Sequence, residues 1–158
     1  APTIIELAGG KTPEYMQGSS FKEILETGKE PEDWQQETYY RYWMHMAHKH
    51  SNPAHFGIRT KEYKLIFFYA RDYKKRNNKA QKWAHHPSSL SFLETPVAWE
   101  FYDLKKDPKE MDNKYADQSY AAIIKDLKSR LANIRTEVKE NDTEYPAIQK
   151  AIDEHWDD

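Results

Sequence analysis

The sequence predicts an α+β fold, with a roughly four-stranded antiparallel sheet packed by a long C-terminal helix over about residues 118–140. Two patterns carry that expectation. Four short runs dense in aromatic and β-favouring residues fall between positions 38 and 104. Beyond them, apolar residues recur at Tyr120, Ile123, Ile124, Leu127, Leu131, Ile134 and Val138, the three-four spacing of one buried helical stripe. Strands in succession followed by one striped helix give a sheet with the helix laid on its face.

Each element has its own justification. Pro2 suits a first helical turn, Ile4, Ile5, Leu7 and Ala8 make it apolar, and Gly9-Gly10 stops it. So short a helix is unstable alone and needs a surface to pack on. Residues 11–37 read as mostly irregular chain, with a helical turn or two over 21–27 and a surface connection around Gly28 and Pro31. The first strand is 38–44, the second His55–Thr60, and the third 62–69, with a tight join at Thr60-Lys61. In the third, Tyr63, Leu65 and Phe67 alternate with Lys64, Ile66 and Phe68, so it is polar at one end and buried at the other. Residues 71–95 show no sustained period and read as a long exposed loop. The fourth strand, 97–104, is stopped by Lys105-Lys106-Asp107-Pro108. Asp117 is a plausible N-cap for the long helix. Ile148, Ile152 and Trp156, at four-residue steps, suggest a last helical segment.

Composition bounds the function. The 158 residues carry 24 Lys+Arg against 26 Asp+Glu, a net charge of -2, which argues against a general binder of nucleic acid or membrane surfaces. Aliphatic residues are scarce, and 11 Tyr with 5 Trp supply the missing apolar bulk. The absence of Cys excludes disulfides, thiolate metal sites and a Cys nucleophile within these residues. No apolar run approaches the roughly 20 residues needed to span a bilayer. The opening Ala1-Pro2-Thr3, without an initiator Met or signal peptide, reads as a start that has been cut away.

Several clusters invite a chemical reading. His45, His48 and His50, with His55 just beyond, are imidazoles of the kind that hold Zn, Cu or Ni. Their spacing matches no zinc signature and no ordered carboxylate lies among them, so no metal ligand is assigned. The plainer reading is a loop whose imidazoles hydrogen-bond a ligand or the backbone. His85-His86 is a weaker case of the same kind. Aromatic residues over 39–43 could stack on sugars or bases, though alternating aromatics in a strand more commonly form core. The basic run over 74–82 lacks the interleaved aromatics of a nucleic-acid site. Asn141-Asp142-Thr143 fits a glycosylation sequon. There is no Gly-rich phosphate loop, Gly-x-Ser-x-Gly elbow or His-Glu-x-x-His, and no catalytic residue is assigned.

Three strings go further. Gly57-Ile58-Arg59-Thr60-Lys61-Glu62-Tyr63-Lys64-Leu65-Ile66 resembles the strand-turn-strand near the C-terminus of the sulfatase family, in the alkaline-phosphatase superfamily. Trp99-Glu100-Phe101-Tyr102-Asp103-Leu104, with Asp107-Pro108, Glu110 and Asn113, is similar to that family's following strand and acidic turn. Ala1-Pro2-Thr3 through Leu7-Ala8-Gly9, then Met16-Gln17-Gly18 and Ser20, resembles the segment that closes its catalytic domain. The strings stand in the family's order and at its separations. Ser19 departs from the Arg that family members usually carry there.

The resemblance implies the C-terminal part of a sulfatase acting on sulfated glycans, inactive by itself. Residues 1–30 would be the tail of the catalytic domain and a connection, and residues 31–158 the C-terminal subdomain. It implies that calcium and a formylglycine, made in a Cys/Ser-x-Pro-x-Arg motif, belong to the parent enzyme, with no cofactor held by this fragment. The implied partners are the chain's own N-terminal catalytic domain and a sulfated glycan, and the implied placement is periplasmic or extracellular. In such an enzyme the substrate-binding candidates are His55 first, then His45, His48 and Arg41. The plainer reading of His55 is a tie between a loop and a Tyr or the backbone. Loss of the catalytic domain would expose Ile4, Ile5 and Leu7, so the isolated chain is expected to self-associate. The alternative is a freestanding module that binds polysaccharide through residues 39–43 and 74–82.

Overall fold

The structure, a computed structural model, describes residues 1–46, 51–71 and 95–158. His48, His50, His85-His86 and the basic run over 74–82 lie outside the described residues. The chain divides into two compact units, Ala1–Gln36 and Glu37–Asp158.

In the first unit, α1 (Pro2–Leu7) opens on its proline and α2 (Lys22–Thr27) follows an irregular stretch. The Phe21 backbone N–H donates to Thr3 Oγ1 at 3.1 Å, which ties the start of α2 to α1. Gly28 ends α2 with φ 71°, a left-handed conformation that costs glycine little, and its N–H donates to the Ile24 carbonyl. Ile4, Leu7, Phe21 and Leu25 are exposed, Ile4 at 73%.

The second unit is a meander of β1 (Glu37–Tyr42), β2 (His55–Thr60), β3 (Tyr63–Phe68) and β4 (Ala98–Asp103), in that spatial order and antiparallel throughout. Thr60 Oγ1 accepts from the Glu62 and Tyr63 N–H groups, which closes the tight β2–β3 turn that the sequence places there. Phe56, Ile58, Leu65, Phe67, Trp99 and Phe101 form the inner face of the sheet. Against them packs α3 (Ala121–Glu137), entered through a 3-10 turn at Gln118–Tyr120 that Asp117 caps through the Ser119 N–H. Tyr120, Ile124, Leu127 and Leu131 of the stripe are buried, as their spacing predicts. α4 (Pro146–His155) adds Ile148 and Ile152 to the same core.

The helix expected over about 118–140 therefore begins with one tighter turn and ends at Glu137. Its end has a local cause. Lys139 takes φ 57°, its N–H donates to the Thr136 carbonyl and the Glu140 N–H donates to the Arg135 carbonyl. That pair of bonds is a Schellman close, and it folds Glu140 back toward Arg135. At the other edge of the sheet, Asn113 acts as a short extra rung for β4. Its Oδ1 accepts from the Phe101 N–H and its Nδ2 donates to the Trp99 carbonyl. An edge strand satisfied in this way offers fewer free groups to another chain.

Candidate functional site

Side chains alternate across a strand, so the register decides which residues meet. On the outer face of the sheet, Tyr42 of β1 stands opposite His55 of β2, and His55 stands opposite Phe68 of β3. The imidazole is stacked on Tyr42 (centroids 5.5 Å apart), tilted on Phe68 (5.0 Å) and met edge-on by Tyr40 (6.0 Å). Tyr40 reaches it by lying across Gly57. A Cβ on Gly57 would fall 2.7 Å from Tyr40 Oη and 2.5 Å from the Leu65 carbonyl oxygen. The glycine is what lets the tyrosine ring down onto the sheet. Tyr40 Oη is buried and has no hydrogen-bond partner among the described residues, and burial raises its pKa above the ordinary tyrosine value.

The protonation of His55 follows from its partner. Nδ1 lies 2.7 Å from the Pro53 carbonyl oxygen, which can only accept, so Nδ1 carries the hydrogen. Burial lowers the His55 pKa; the Pro53 bond opposes that effect and Lys64 adds to it. The ring is therefore neutral at pH 7, with the lone pair on Nε2. It is a small acceptor fixed in an aromatic setting and is suited to a hydroxyl or N–H donor.

His45 acts one step behind. It is buried, and its Nδ1 accepts the Ala54 backbone N–H at 3.1 Å. Ala54 in turn accepts from the Ala70 N–H, and the Met46 N–H donates to the Asn52 carbonyl. Both imidazoles tie the loop to its backbone, His55 through the Pro53 carbonyl and His45 through the Ala54 N–H, and the His45 bond fixes the segment that delivers His55 to β2. The two histidines use opposite tautomers, His45 accepting at Nδ1 and His55 donating there.

Arg41 lies on the other face, between the outward Tyr40 and Tyr42 and opposite Phe56 in the register. Its side chain is 3% exposed and its Nη2 donates to Asp142 Oδ1 at 2.6 Å. Arg135 Nη2 donates to the second oxygen of the same carboxylate at 2.5 Å. Glu140 completes a quartet, with oxygens 3.2 Å from Arg41 Nη1 and 3.5 Å from Arg135 Nε. These last contacts are ion pairs without hydrogen-bond alignment. Arg41 also lies over the Trp43 ring at 3.6 Å, and Arg135 over Phe56 at 4.2 Å. Burial, with the Asp142 carboxylate adding to it, pushes the Glu140 carboxyl up to about 7. The four predicted substrate residues thus separate: His45 and His55 share one segment, Arg41 sits beneath the sheet, and His48 lies outside the described residues. The sequence reading did not find Asp142, Arg135 or Glu140 as partners of Arg41. The alternation of Tyr39, Arg41 and Trp43 with Tyr40 and Tyr42 was the available signal for its face.

Among the described residues no group of three or more His, Asp or Glu side chains is placed to hold a metal, and no helix is long and apolar enough to cross a membrane.

Comparison with known proteins identifies the lineage. The family described as N-sulphoglucosamine sulphohydrolase, C-terminal, matches residues 1–83 and 88–137. An N-acetylglucosamine-6-O-sulfatase of Bacteroides thetaiotaomicron is 36% identical over 143 residues, which cover 90% of this chain and 21% of that protein. A multifunctional alkaline phosphatase superfamily protein, PehA of Trinickia caryophylli, is 28% identical over 134 residues, 85% of this chain and 23% of that protein. The chain thus spans under a quarter of the length of these curated relatives. Among solved structures, BT4656 in complex with its substrate D-glucosamine-2-N,6-O-disulfate superposes with a TM-score of 0.69 at 35% identity, over 90% of this chain and 24% of that one. A phosphonate monoester hydrolase from Silicibacter pomeroyi reaches 0.56 at 18% identity, over 86% and 24%, which speaks for a shared fold alone. With the three sequence strings, the sheet meander and the matched span in agreement, the chain belongs to the sulfatase C-terminal domain family.

Proposed function

We propose that this chain is the C-terminal part of a sulfatase that hydrolyses sulfate esters of glycans, and that His55 helps form its substrate cleft. The observation that carries the reading is the 36% identity to an N-acetylglucosamine-6-O-sulfatase across 90% of the chain. In this reading residues 1–30 close the catalytic domain and connect it to a subdomain formed by 31–158. The exposed Ile4 and Leu7 support that assignment, because a catalytic domain would cover them.

The parent's formylglycine does not fit the residues present, and among the described residues no cluster of His, Asp or Glu is placed to hold a calcium ion. The chain has no Cys, and the nearest approach to the nucleophile motif, Ser51-Asn52-Pro53-Ala54-His55, ends in His where Arg is required. Both groups would belong to the catalytic domain, and no step is assigned to them on this chain. What these residues supply is orientation. A neutral His55, its tautomer fixed by Pro53 and its ring wedged between Tyr42 and Phe68, accepts a hydrogen bond from a sugar hydroxyl or amide N–H and aligns the ring beside the reacting ester.

The test is to express the gene with its upstream sequence and measure sulfate release from N-acetylglucosamine 6-sulfate. His55→Ala is expected to lower kcat/KM about 10-fold or more, the loss of one oriented hydrogen bond, while lowering the melting temperature by only about 5 °C, the cost of its ring contacts and the Pro53 bond. An upstream region without the nucleophile motif, or a variant with full activity, would overturn the corresponding half of the proposal.

A further inference from the structure

The helical side of the second unit holds an open cleft of about 250 Å³ between α3 and α4, bordered by Arg135, Thr136, Glu140, Asn141, Gln149 and Trp156. It shares no residue with the His55 face, because Arg135 and Trp156 contact the inner-face residue Phe56.

We propose that this cleft is a second carbohydrate site that holds one uncharged sugar ring of a glycan, a unit without sulfate. The inference rests on the glycan-processing reading above and goes beyond it. Three features argue for it. The first is size: the cleft lies just below the range of pockets that take drug-sized ligands, which suits a single ring. The second is the lining. An indole supplies apolar surface, while two side-chain amides, a hydroxyl, a carboxyl and a guanidinium offer both donors and acceptors, the mixture a polyhydroxylated ring requires. Trp156 is held in place by Phe56 and by Trp99 at 5.1 Å, and the Gln149 amide is braced by its bond to Asp153 at 2.7 Å. A wall fixed before binding loses less entropy when the ligand arrives.

The third feature is charge, and it selects the ligand. The guanidinium at the cleft would favour sulfate if it stood alone. It does not: Arg135 and Arg41 are matched by Asp142 and Glu140, with contacts from 2.5 to 3.5 Å. Above about pH 8, where Glu140 is ionised, a sulfate entering here finds both guanidiniums matched and two carboxylates as neighbours. An uncharged ring meets no such opposition, and its hydroxyls need only the amide, hydroxyl and carboxyl groups on the wall. The cleft therefore discriminates against the group that the parent enzyme is proposed to remove.

The experiment is saturation-transfer NMR of the 158-residue chain with N-acetylglucosamine and N-acetylglucosamine 6-sulfate as separate probes. At about pH 8.5 the unsulfated sugar is expected to bind with Kd on the order of 1–10 mM and to resist displacement by an equal concentration of the sulfate ester. Asn141→Ala, at an exposed position, and Gln149→Ala, at a half-buried one, each weaken it about 5-fold or more with the fold retained by circular dichroism, and Lys125→Ala, exposed elsewhere on α3, leaves it unchanged. Glu140→Gln keeps the side-chain shape, leaves one guanidinium unmatched and narrows the preference against the sulfated sugar. No transfer to the unsulfated sugar at about 20 mM, its displacement by an equal concentration of the 6-sulfate, or an equal loss in Lys125→Ala would each overturn the proposal. Sulfate release by the longer protein is measured separately, so an empty cleft and an inactive parent are distinct results.

Discussion

Replacing Asp142 by Asn removes one negative charge from a site with no contact with water. Asp142 is fully buried and receives one charge-assisted hydrogen bond on each oxygen, from Arg41 at 2.6 Å and Arg135 at 2.5 Å. The Asn side chain keeps one acceptor and turns an NH₂ donor toward the other guanidinium, donor against donor. Hydrogen bonds to charged groups contribute about 1.5–3 kcal/mol each, and removing one partner of a buried ion pair costs about 3–5 kcal/mol. The upper estimate applies to the dry setting here, because two guanidiniums would be left with Glu140 alone, and that residue is poorly aligned to either. A loss of about 4 kcal/mol is a large share of the 5–15 kcal/mol that holds an ordinary domain together. For a unit of this size it lowers Tm by roughly 15 °C. In urea, with m near 2 kcal/mol/M, the midpoint falls by about 2 M. Tryptophan fluorescence reads the transition directly, since Trp43 lies 3.6 Å above Arg41. A loss below about 1 kcal/mol would refute the reasoning, because it would mean that water or Glu140 replaces Asp142 and that the quartet is not the clamp between β1 and the helical end of the unit.

Three further outcomes follow from the same geometry. Glu140 has a folded pKa near 7 against 4.5 in the unfolded chain, so the folded state takes up its proton first as pH falls. The unaltered chain should therefore gain about 1–2 kcal/mol relative to Glu140→Gln between pH 8 and 5, after discounting for the partly open carboxyl, and a flat difference would contradict the shift. Gly57→Ala drives a Cβ to 2.5 Å from a backbone oxygen and should cost about 3 kcal/mol in chemical denaturation; removing the Tyr40 ring as well should recover only part of this, because the Leu65 carbonyl remains. The isolated chain should self-associate through the exposed apolar side chains of its first unit, and Ile4→Asp should shift light scattering toward monomer, whereas an unaltered chain that stays monomeric at high concentration would count against it.

The fold was legible where a local pattern had one physical cause. The β2–β3 turn could be placed because Thr60-Lys61 separates two β-favouring runs, and the helix because its stripe must be buried. Its terminus was not legible: nothing in the composition near 139 announces a left-handed Lys, and a glycine is the usual marker of such a close. His55 could be singled out by its place before Gly57-Ile58-Arg59. Its tautomer depends on Pro53 and its neutral state on burial beside Tyr42 and Phe68, and only the assembled sheet brings those two rings to it.

Arg41 shows a different boundary. Its residue type and its position beside the histidine loop suggest a substrate contact, yet the partner that occupies it lies 101 residues away in sequence. No local rule connects Arg41 to Asp142, because the link exists only after the Schellman close turns the chain at Lys139 and presents the residues after it to β1. Strand alternation does constrain the answer, though. Once Phe56 and Ile58 are accepted as core, His55 and Gly57 must face the other way, and the paired Arg41 must face inward with Phe56. An inward Arg requires a carboxylate, since an unpaired buried charge is too costly to keep. The register therefore separates an arginine that holds the sheet to its helices from a histidine that faces away from them. On that ground Arg41→Met should register mainly in the denaturation midpoint, while His55→Ala should register mainly in the kinetics of the longer enzyme.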